Sequence, residues 1–447
     1  MSKIYELPLS YRIARKYVIW SFKQFYSEYI ILGKENIPDK GPVLFAPNHL
    51  NALMDALAVL SLPRKKSATV FLARADIFKN KTIARLLRFT KIMPAFRIRD
   101  GVENLGKNAE VFDLSTEVLE KDNAMCIMPE GNQELERKVR PLVKGIFRIA
   151  FSAQEKIGNQ DNVKIVPIGI DLGHLEKSQQ HIIINIGKPI NVADYMTEYS
   201  ENQATAINKL KDKLRESLEN LTLNLNSDRY YKTFETATRL CNYDVLNTMG
   251  LKKNTVNLFY ARLKTGKKLL KLEKDNPEKT EELHQNVLQF EKIRTQIGLP
   301  FKSFTATRRS TLNLIASTLI LILFLPVFLI GLTFNFLPFF LPVWIRKAMK
   351  VEFTGFYSSI QYGAGIITSP VFYLIQAILL TTFTDSNWYW LLVIIPFEFI
   401  FGKLSIKIYK NFRKLYGYFQ RVFIMTKREK EFMELEKLKN RITEAIQ

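Results

Sequence analysis

Pro42-Val43-Leu44-Phe45-Ala46-Pro47-Asn48-His49-Leu50-Asn51-Ala52-Leu53-Met54-Asp55 is the stretch on which the reading of this chain turns. An apolar run leads into a polar pair and then into a helix-compatible segment. Such a run, closed by proline, fits a strand buried on both faces, as in parallel sheets. His49 stands at its exit and is one of four histidines in 447 residues. Histidine is the side chain best matched to proton transfer near neutral pH. A carboxylate bonded to the far ring nitrogen fixes the tautomer and stabilises the imidazolium as it forms. Asp55 is the candidate for that carboxylate. Six residues along a regular helix turn through about 240°. His49 must therefore sit in the turn before the helix if it is to meet Asp55. Pro47 suits such a turn.

Outward from this stretch, residues 33–225 show an α/β pattern. Residues 43–46, 68–73, 124–128, 164–170 and 181–186 read as strands, and residues 55–62 and 81–89 as helices. Leu210, Leu214, Leu218 and Leu221 mark a further amphipathic helix. The expected fold is α/β: a mostly parallel sheet flanked by helices, followed by a helical connector and C-terminal transmembrane helices.

The flanking regions point to a membrane. Lys and Arg number 65 against 43 Asp and Glu, a formal net charge of +22, although 47% of residues are apolar. An anionic bilayer and nucleic acid both attract such a charge. With no nucleic-acid-binding module in sight, nucleic acid is not expected as a partner. Residues 1–32 read as a membrane-surface element. Its core is an amphipathic helix over 11–32, with Val18, Phe22, Phe25 and Tyr29 at helical spacing and Arg12, Arg15, Lys16 and Lys23 as cations. The alternative is an ordinary surface helix packed on its own domain. No secretory signal is expected. Residues 226–305 read as a helical connector on the water side. Residues 311–344 carry no charge, which is too long for one upright span, and Gly331 to Pro338 offers a break for a hairpin. A further span is expected at about 363–382 and an apolar segment at 388–403. Arg308, Arg309, Arg346, Lys347 and Lys403 put every basic flank on one side if the chain crosses four times; the alternative is one or two re-entrant hairpins that never reach the far side. This predicts a transmembrane region over 306–405, a basic helix over 406–447, and both termini cytoplasmic. Glu398, five residues before Lys403, reads as interfacial. Cys126 and Cys241 form no metal-type cluster and read as free thiols in a reducing compartment.

Three further segments complete the candidate site. Met93-Pro94-Ala95-Phe96-Arg97-Ile98-Arg99-Asp100 offers two guanidinium forks that suit a phosphate, or a solvated basic loop. Ile127-Met128-Pro129-Glu130-Gly131-Asn132 presents Glu130 in a turn at the C-terminal edge of a strand, where open α/β sheets place their sites; a carboxylate there suits a polyol hydroxyl or an arginine, or caps a helix. Ile165-Val166-Pro167-Ile168-Gly169-Ile170 reads mainly as structure, with Lys144-Gly145 upstream as a source of a cation.

Together these four segments closely resemble the glycerolipid acyltransferase family, which contains glycerol-3-phosphate and lysophosphatidic acid acyltransferases. The resemblance spans about residues 30–220. Gly33-Lys34-Glu35-Asn36-Ile37-Pro38, Gly41-Pro42-Val43 and Ala73-Arg74-Ala75-Asp76-Ile77-Phe78 match as well. The family usually separates its His and Asp by four residues. Five intervene here, a spacing that resembles fungal-type glycerol-3-phosphate and dihydroxyacetone-phosphate acyltransferases. Met128 stands where Phe is common, and Asn132-Gln133 where Thr or Ser and often Arg are expected.

The resemblance implies acyl transfer from a thioester, acyl-CoA or acyl-carrier protein, to a hydroxyl of glycerol-3-phosphate or 1-acylglycerol-3-phosphate. It implies His49 as general base and Asp55 as its orienting partner. Arg97 and Arg99 would hold the acceptor phosphate, and Glu130 and Gly131 would shape the acceptor site, with Asn51 and Lys144 completing the substrate-binding set. No metal and no cofactor beyond the acyl donor are implied. The expected partners are the acyl thioester, the phosphate-bearing acceptor and a membrane with anionic lipids. Two alternatives are weighed beside it: transfer to another lysophospholipid or an amino-acid-containing lipid, and a non-catalytic lipid-binding scaffold.

Overall fold

Eight strands form one sheet: β1 Glu28–Leu32, β2 Val43–Pro47, β3 Thr69–Arg74, β4 Ile92–Ala95, β5 Ala124–Cys126, β6 Lys164–Leu172, β7 His181–Ile186 and β8 Ile190–Asn191. Their order is β1-β7-β6-β2-β5-β3-β4, with β8 beside β6. The β6–β7 and β6–β8 pairs are antiparallel and the other pairings parallel. The computed structural model describes residues 3–64, 67–95, 105–305 and 310–446, apart from the side chains of 105–108 and 311.

The apolar run is the middle of the sheet. All five residues of β2 are buried, and Phe45 pairs with Val166 on one side and Cys126 on the other. A strand flanked in this way has no polar face to offer, which explains its unbroken apolar sequence. Helices cover the sheet: α1 Leu9–Phe25, α2 Ala52–Leu60, α3 Lys81–Phe89, α4 Leu105–Glu120, α5 Gly145–Ile157, α6 Met196–Glu201 and α7 Gln203–Leu221. Phe147 and Phe151 of α5 and Leu210, Leu214 and Leu218 of α7 are fully buried in one core with Leu44, Met125 and Ile165. Truncating either phenylalanine to alanine is expected to cost about 3–5 kcal/mol.

Two features depart from the sequence reading here. Residues 28–32 are strand rather than helix. Tyr29 and Ile30 continue the helical spacing of α1, but parallel pairing with β7, Tyr29 opposite Ile182, overrides it. The face of α1 assigned to the bilayer also turns inward. Phe22 and Tyr26 are buried, as is Tyr11.

The chain divides into two compact units, Met1–Asn226 with Glu352–Ser359, and Ser227–Val351 with Ile360–Gln447. The second is helical: α8 Tyr231–Leu240, α9 Asn242–Thr248, α10 Thr255–Asp275, α11 Pro277–Gln296, α12 Phe301–Phe304, α13 Thr311–Leu323, α14 Leu325–Ala348, α15 Tyr357–Phe383, α16 Leu391–Lys427 and α17 Glu429–Ile446. Phe290, Phe304 and Phe432 meet in its core, with ring centroids 5.1 and 5.9 Å apart.

Leu325–Ala348 and Thr354–Phe383 are long and apolar enough to cross a membrane. Only 22% and 11% of their most apolar stretches are buried, unlike the core helices of a soluble protein. Among the described residues these are the two helices that meet that length, against four expected crossings. Helix α13 is short, and α16 runs on from its apolar start through Lys403, Lys407 and Lys410. Arg308 and Arg309 lie outside the described residues. The chain breaks at Phe324, and α14 passes unbroken through 331–338. Gly331 serves close packing: a Cβ there would sit 2.3 Å from the Phe401 carbonyl oxygen of α16. Glu398 is fully buried within the protein. Its backbone carbonyl accepts from Asn335 Nδ2 of α14 at 2.8 Å.

Candidate functional site

The carboxyl ends of β2, β5 and β6 frame a turn, 48–51, between β2 and α2. Asn48 pins the turn to the sheet. Its Oδ1 accepts from the Ile170 N–H at 2.6 Å, and its Nδ2 donates to the Ile170 carbonyl. His49 follows, in the turn, and Asp55 lies inside α2 as the rotation argument required. Asp55 Oδ2 takes three donors: His49 Nδ1 at 3.0 Å, the Leu50 N–H at 2.8 Å and the Asn51 N–H at 2.6 Å. One carboxylate oxygen thus closes the turn and orients the ring. Asp55 is fully buried, while the His49 side chain is 16% exposed, which leaves its edge reachable. With Nδ1 carrying the proton given to Asp55, Nε2 is left as an acceptor.

The backbone of His49 is held from both ends. Its N–H donates to Glu130 Oε1 at 3.0 Å, and its carbonyl accepts from Arg140 Nη2. Arg140 Nε and the Arg140 N–H both donate to Glu130 Oε2, so the buried ion pair closes a ring around the backbone of His49. Burial pushes the Glu130 carboxyl above the usual carboxylate range, and the Arg140 guanidinium and two N–H donors oppose this. The turn carrying Glu130 depends on Gly131, whose φ of +69° favours glycine and whose N–H donates to the Met128 carbonyl. Gln133 Oε1 accepts from the Ala52 N–H at 2.6 Å and so caps α2.

The remaining expected site residues are placed as follows. Of the partners open to Glu130, it takes an arginine: its two oxygens hold the His49 N–H and Arg140, and it is 6% exposed. Asn51 is fully buried and faces protein. Its Nδ2 donates to the Leu175 carbonyl and Ser358 Oγ, at 2.7 and 2.8 Å, and its Oδ1 accepts from Ser359 Oγ at 3.1 Å. Lys144 is exposed at the N-cap of α5, and among the described residues no contact joins it to the turn. Arg97 and Arg99 lie outside the described residues. Sequence reasoning missed Arg140, Ser358 and Ser359, and marked Gln133 only as a departure from the family's usual residue. Their contacts with the turn span 81 to 308 residues, and no local pattern announces those contacts.

A fixed imidazole edge beside a buried carboxylate, at the carboxyl end of a parallel sheet, is equipped to take a proton from a bound hydroxyl. Residues 29–171 match the family model described as Acyltransferase. A stretch of 127 residues is 27% identical to Glycerol-3-phosphate O-acyltransferase 1 of Saccharomyces cerevisiae (strain ATCC 204508 / S288c). That stretch covers 28% of this chain and 17% of the yeast protein, so the chain spans only a small part of that relative. Among solved structures, the 1-acyl-sn-glycerophosphate (LPA) acyltransferase PlsC of Thermotoga maritima is similar at 20% identity with a TM-score of 0.33. The likeness covers 46% of this chain and 78% of that one.

Proposed function

We propose that this protein, whose residues 29–171 match the Acyltransferase family model, is a membrane-bound O-acyltransferase. It moves a fatty acyl group from a thioester, acyl-CoA or acyl-carrier protein, to a hydroxyl of glycerol-3-phosphate or 1-acylglycerol-3-phosphate. The observation that carries this reading is the 3.0 Å contact of His49 Nδ1 with buried Asp55 while the ring edge stays reachable.

In this mechanism Nε2 accepts the acceptor's hydroxyl proton as the oxygen attacks the thioester carbonyl. The imidazolium that forms is stabilised by Asp55, whose hydrogen-bond donors besides His49 are, among the described residues, two backbone N–H groups. The tetrahedral intermediate collapses with loss of the thiolate, which takes up the proton. No covalent acyl-enzyme is needed. Arg97 and Arg99 hold the acceptor phosphate through paired N–H donors, and a basic protein surface draws in anionic lipids and the phosphates of the donor. The catalytic unit works on the cytoplasmic face, where the soluble thioester and the lipid acceptor meet.

The test is incubation of membranes containing the full chain with a labelled acyl thioester and a panel of acceptors: glycerol-3-phosphate, dihydroxyacetone phosphate, lysophosphatidic acid, and lysolipids with full headgroups. Transfer to the first or third supports the reading, and transfer only to lysolipids with full headgroups replaces it. Arg97→Ala is expected to raise the KM of the acceptor more than that of the donor. An equal or reversed effect removes Arg97 from the phosphate site.

A further inference from the structure

Helix α1 is apolar on two sides. Its inner side is used: Tyr11 and Phe22 are buried. On the opposite side Leu9, Ile13, Tyr17 and Trp20 fall within about 80° of one another at 100° per residue. Leu9 is 66% exposed and Trp20 48%. Arg12, Lys16 and Lys23 border this strip along one edge of the helix.

Helix α3 has no assignment from the sequence beyond its existence. None of its nine residues is buried, yet Ile83, Leu86 and Phe89 share one side, with Leu86 60% exposed. Lys81, Arg85 and Arg88 occupy the other side. An apolar face opposed by a cationic one describes a helix that lies in a bilayer interface. The two helices adjoin: the rings of Tyr11 and Phe89 meet edge to face at 6.1 Å, and Lys91 Nζ lies over Tyr11 at 5.1 Å.

Single exposed apolar residues are ordinary, but two neighbouring helices with bare apolar faces are not. The charge selects the occupant. Residues 9–25 and 77–91 contain nine Lys and Arg and no Asp or Glu. Two copies of such a face would repel, whereas an anionic lipid surface attracts it. We propose that α1 and α3 together seat the sheet-containing unit on an anionic bilayer surface, with Leu9, Ile13, Trp20, Ile83 and Leu86 entering the acyl boundary. The seat holds the sheet-containing unit at the surface where a lipid acceptor is found, and to that extent it builds on the function proposed above.

The test reads depth rather than turnover, so the two can fail separately. Both native cysteines are buried, and burial pushes the Cys241 thiol up to about 11, so label goes to introduced thiols. Full-length chains carrying Ile13→Cys, Leu86→Cys or Arg85→Cys are nitroxide-labelled in vesicles of phosphatidylcholine with and without phosphatidylglycerol. Labels at positions 13 and 86 are expected to collide several-fold more with oxygen than with a water-soluble nickel chelate. Position 85 is expected to show the reverse, and the contrast should shrink when the anionic lipid is withdrawn. Equal access of the nickel chelate to positions 86 and 85 overturns the proposal. Spin–spin broadening at position 86 without a depth contrast also overturns it, and assigns the face to a second copy.

Discussion

His49 and His181 each lean on a buried aspartate in the same unit: His49 Nδ1 at 3.0 Å from Asp55 Oδ2, His181 Nε2 at 3.4 Å from Asp171 Oδ2. The surroundings of the two carboxylates differ. Asp171 Oδ1 is paired with the Arg137 guanidinium, which also donates to the Leu172 carbonyl. Its charge is already answered, so little is left to stabilise an imidazolium. Among the described residues Asp55 meets, besides His49, N–H groups of its own turn and no cation, so its charge is left for the ring. A His–Asp contact alone therefore does not make a proton acceptor. What matters is what else the carboxylate holds.

Substitutions can break this contrast or sharpen it. His49→Ala is expected to lower acyl transfer by about 10²–10⁴-fold, the usual range for a general base, without lowering protein abundance in membranes. Near-normal turnover would dissolve the distinction. Asp55→Asn keeps the shape but removes the charge and admits the wrong tautomer, so a loss of similar order is expected. If Asp55→Asn stays close to the parent, the carboxylate only shapes the turn.

Arg140→Ala leaves the Glu130 carboxylate buried and unpaired, a loss of about 3–5 kcal/mol in stability, and frees the His49 carbonyl. The double substitution Glu130→Gln with Arg140→Met removes both charges together. It should recover much of the stability but not the turnover number, because the donor to the His49 carbonyl is still missing. Return of the rate together with stability would assign the ion pair to folding alone. His181→Ala should have the smallest effect. Its ring is 30% exposed, turnover should stay near the parent value, and unfolding should shift by less than about 1 kcal/mol. A loss matching that of His49→Ala would reverse the comparison.

The parts of this molecule that were legible in the sequence are those set by local pattern. The apolar run over 43–47 announces a central strand because no residue in it faces water. The rotation between positions 49 and 55 settles which of the pair sits in the turn. Where two local patterns competed, distant partners decided. Tyr29 and Ile30 fit a helix as well as a strand until β7 supplied hydrogen bonds. Gly331 fits a chain break as well as a close helix crossing, and α16 used it for the second. The frame around His49 was the least legible. Arg140 and Gln133 reach it from the Glu130 loop, and Ser358 and Ser359 from the far side of an apolar helix. Gln133 was visible only as a departure from the family's usual residue, and the structure gives that departure a task at the start of α2.

The hydrogen bonds from Asn51 to Ser358 and Ser359 also set an order of events during synthesis. Asn51 and Ser358 are separated by 307 residues. At roughly 5–20 residues per second, the second partner leaves the ribosome roughly 15–60 s after the first. All eight strands have been made by then, and so has α14. Until residue 359 emerges, the Asn51 amide lacks two of its three partners. The Asn51 side chain, unlike the rest of the turn that carries His49, therefore gains its full set of partners only after the first long apolar helix has been delivered. A ribosome that stalls before that point holds a complete sheet with that one amide still unmatched.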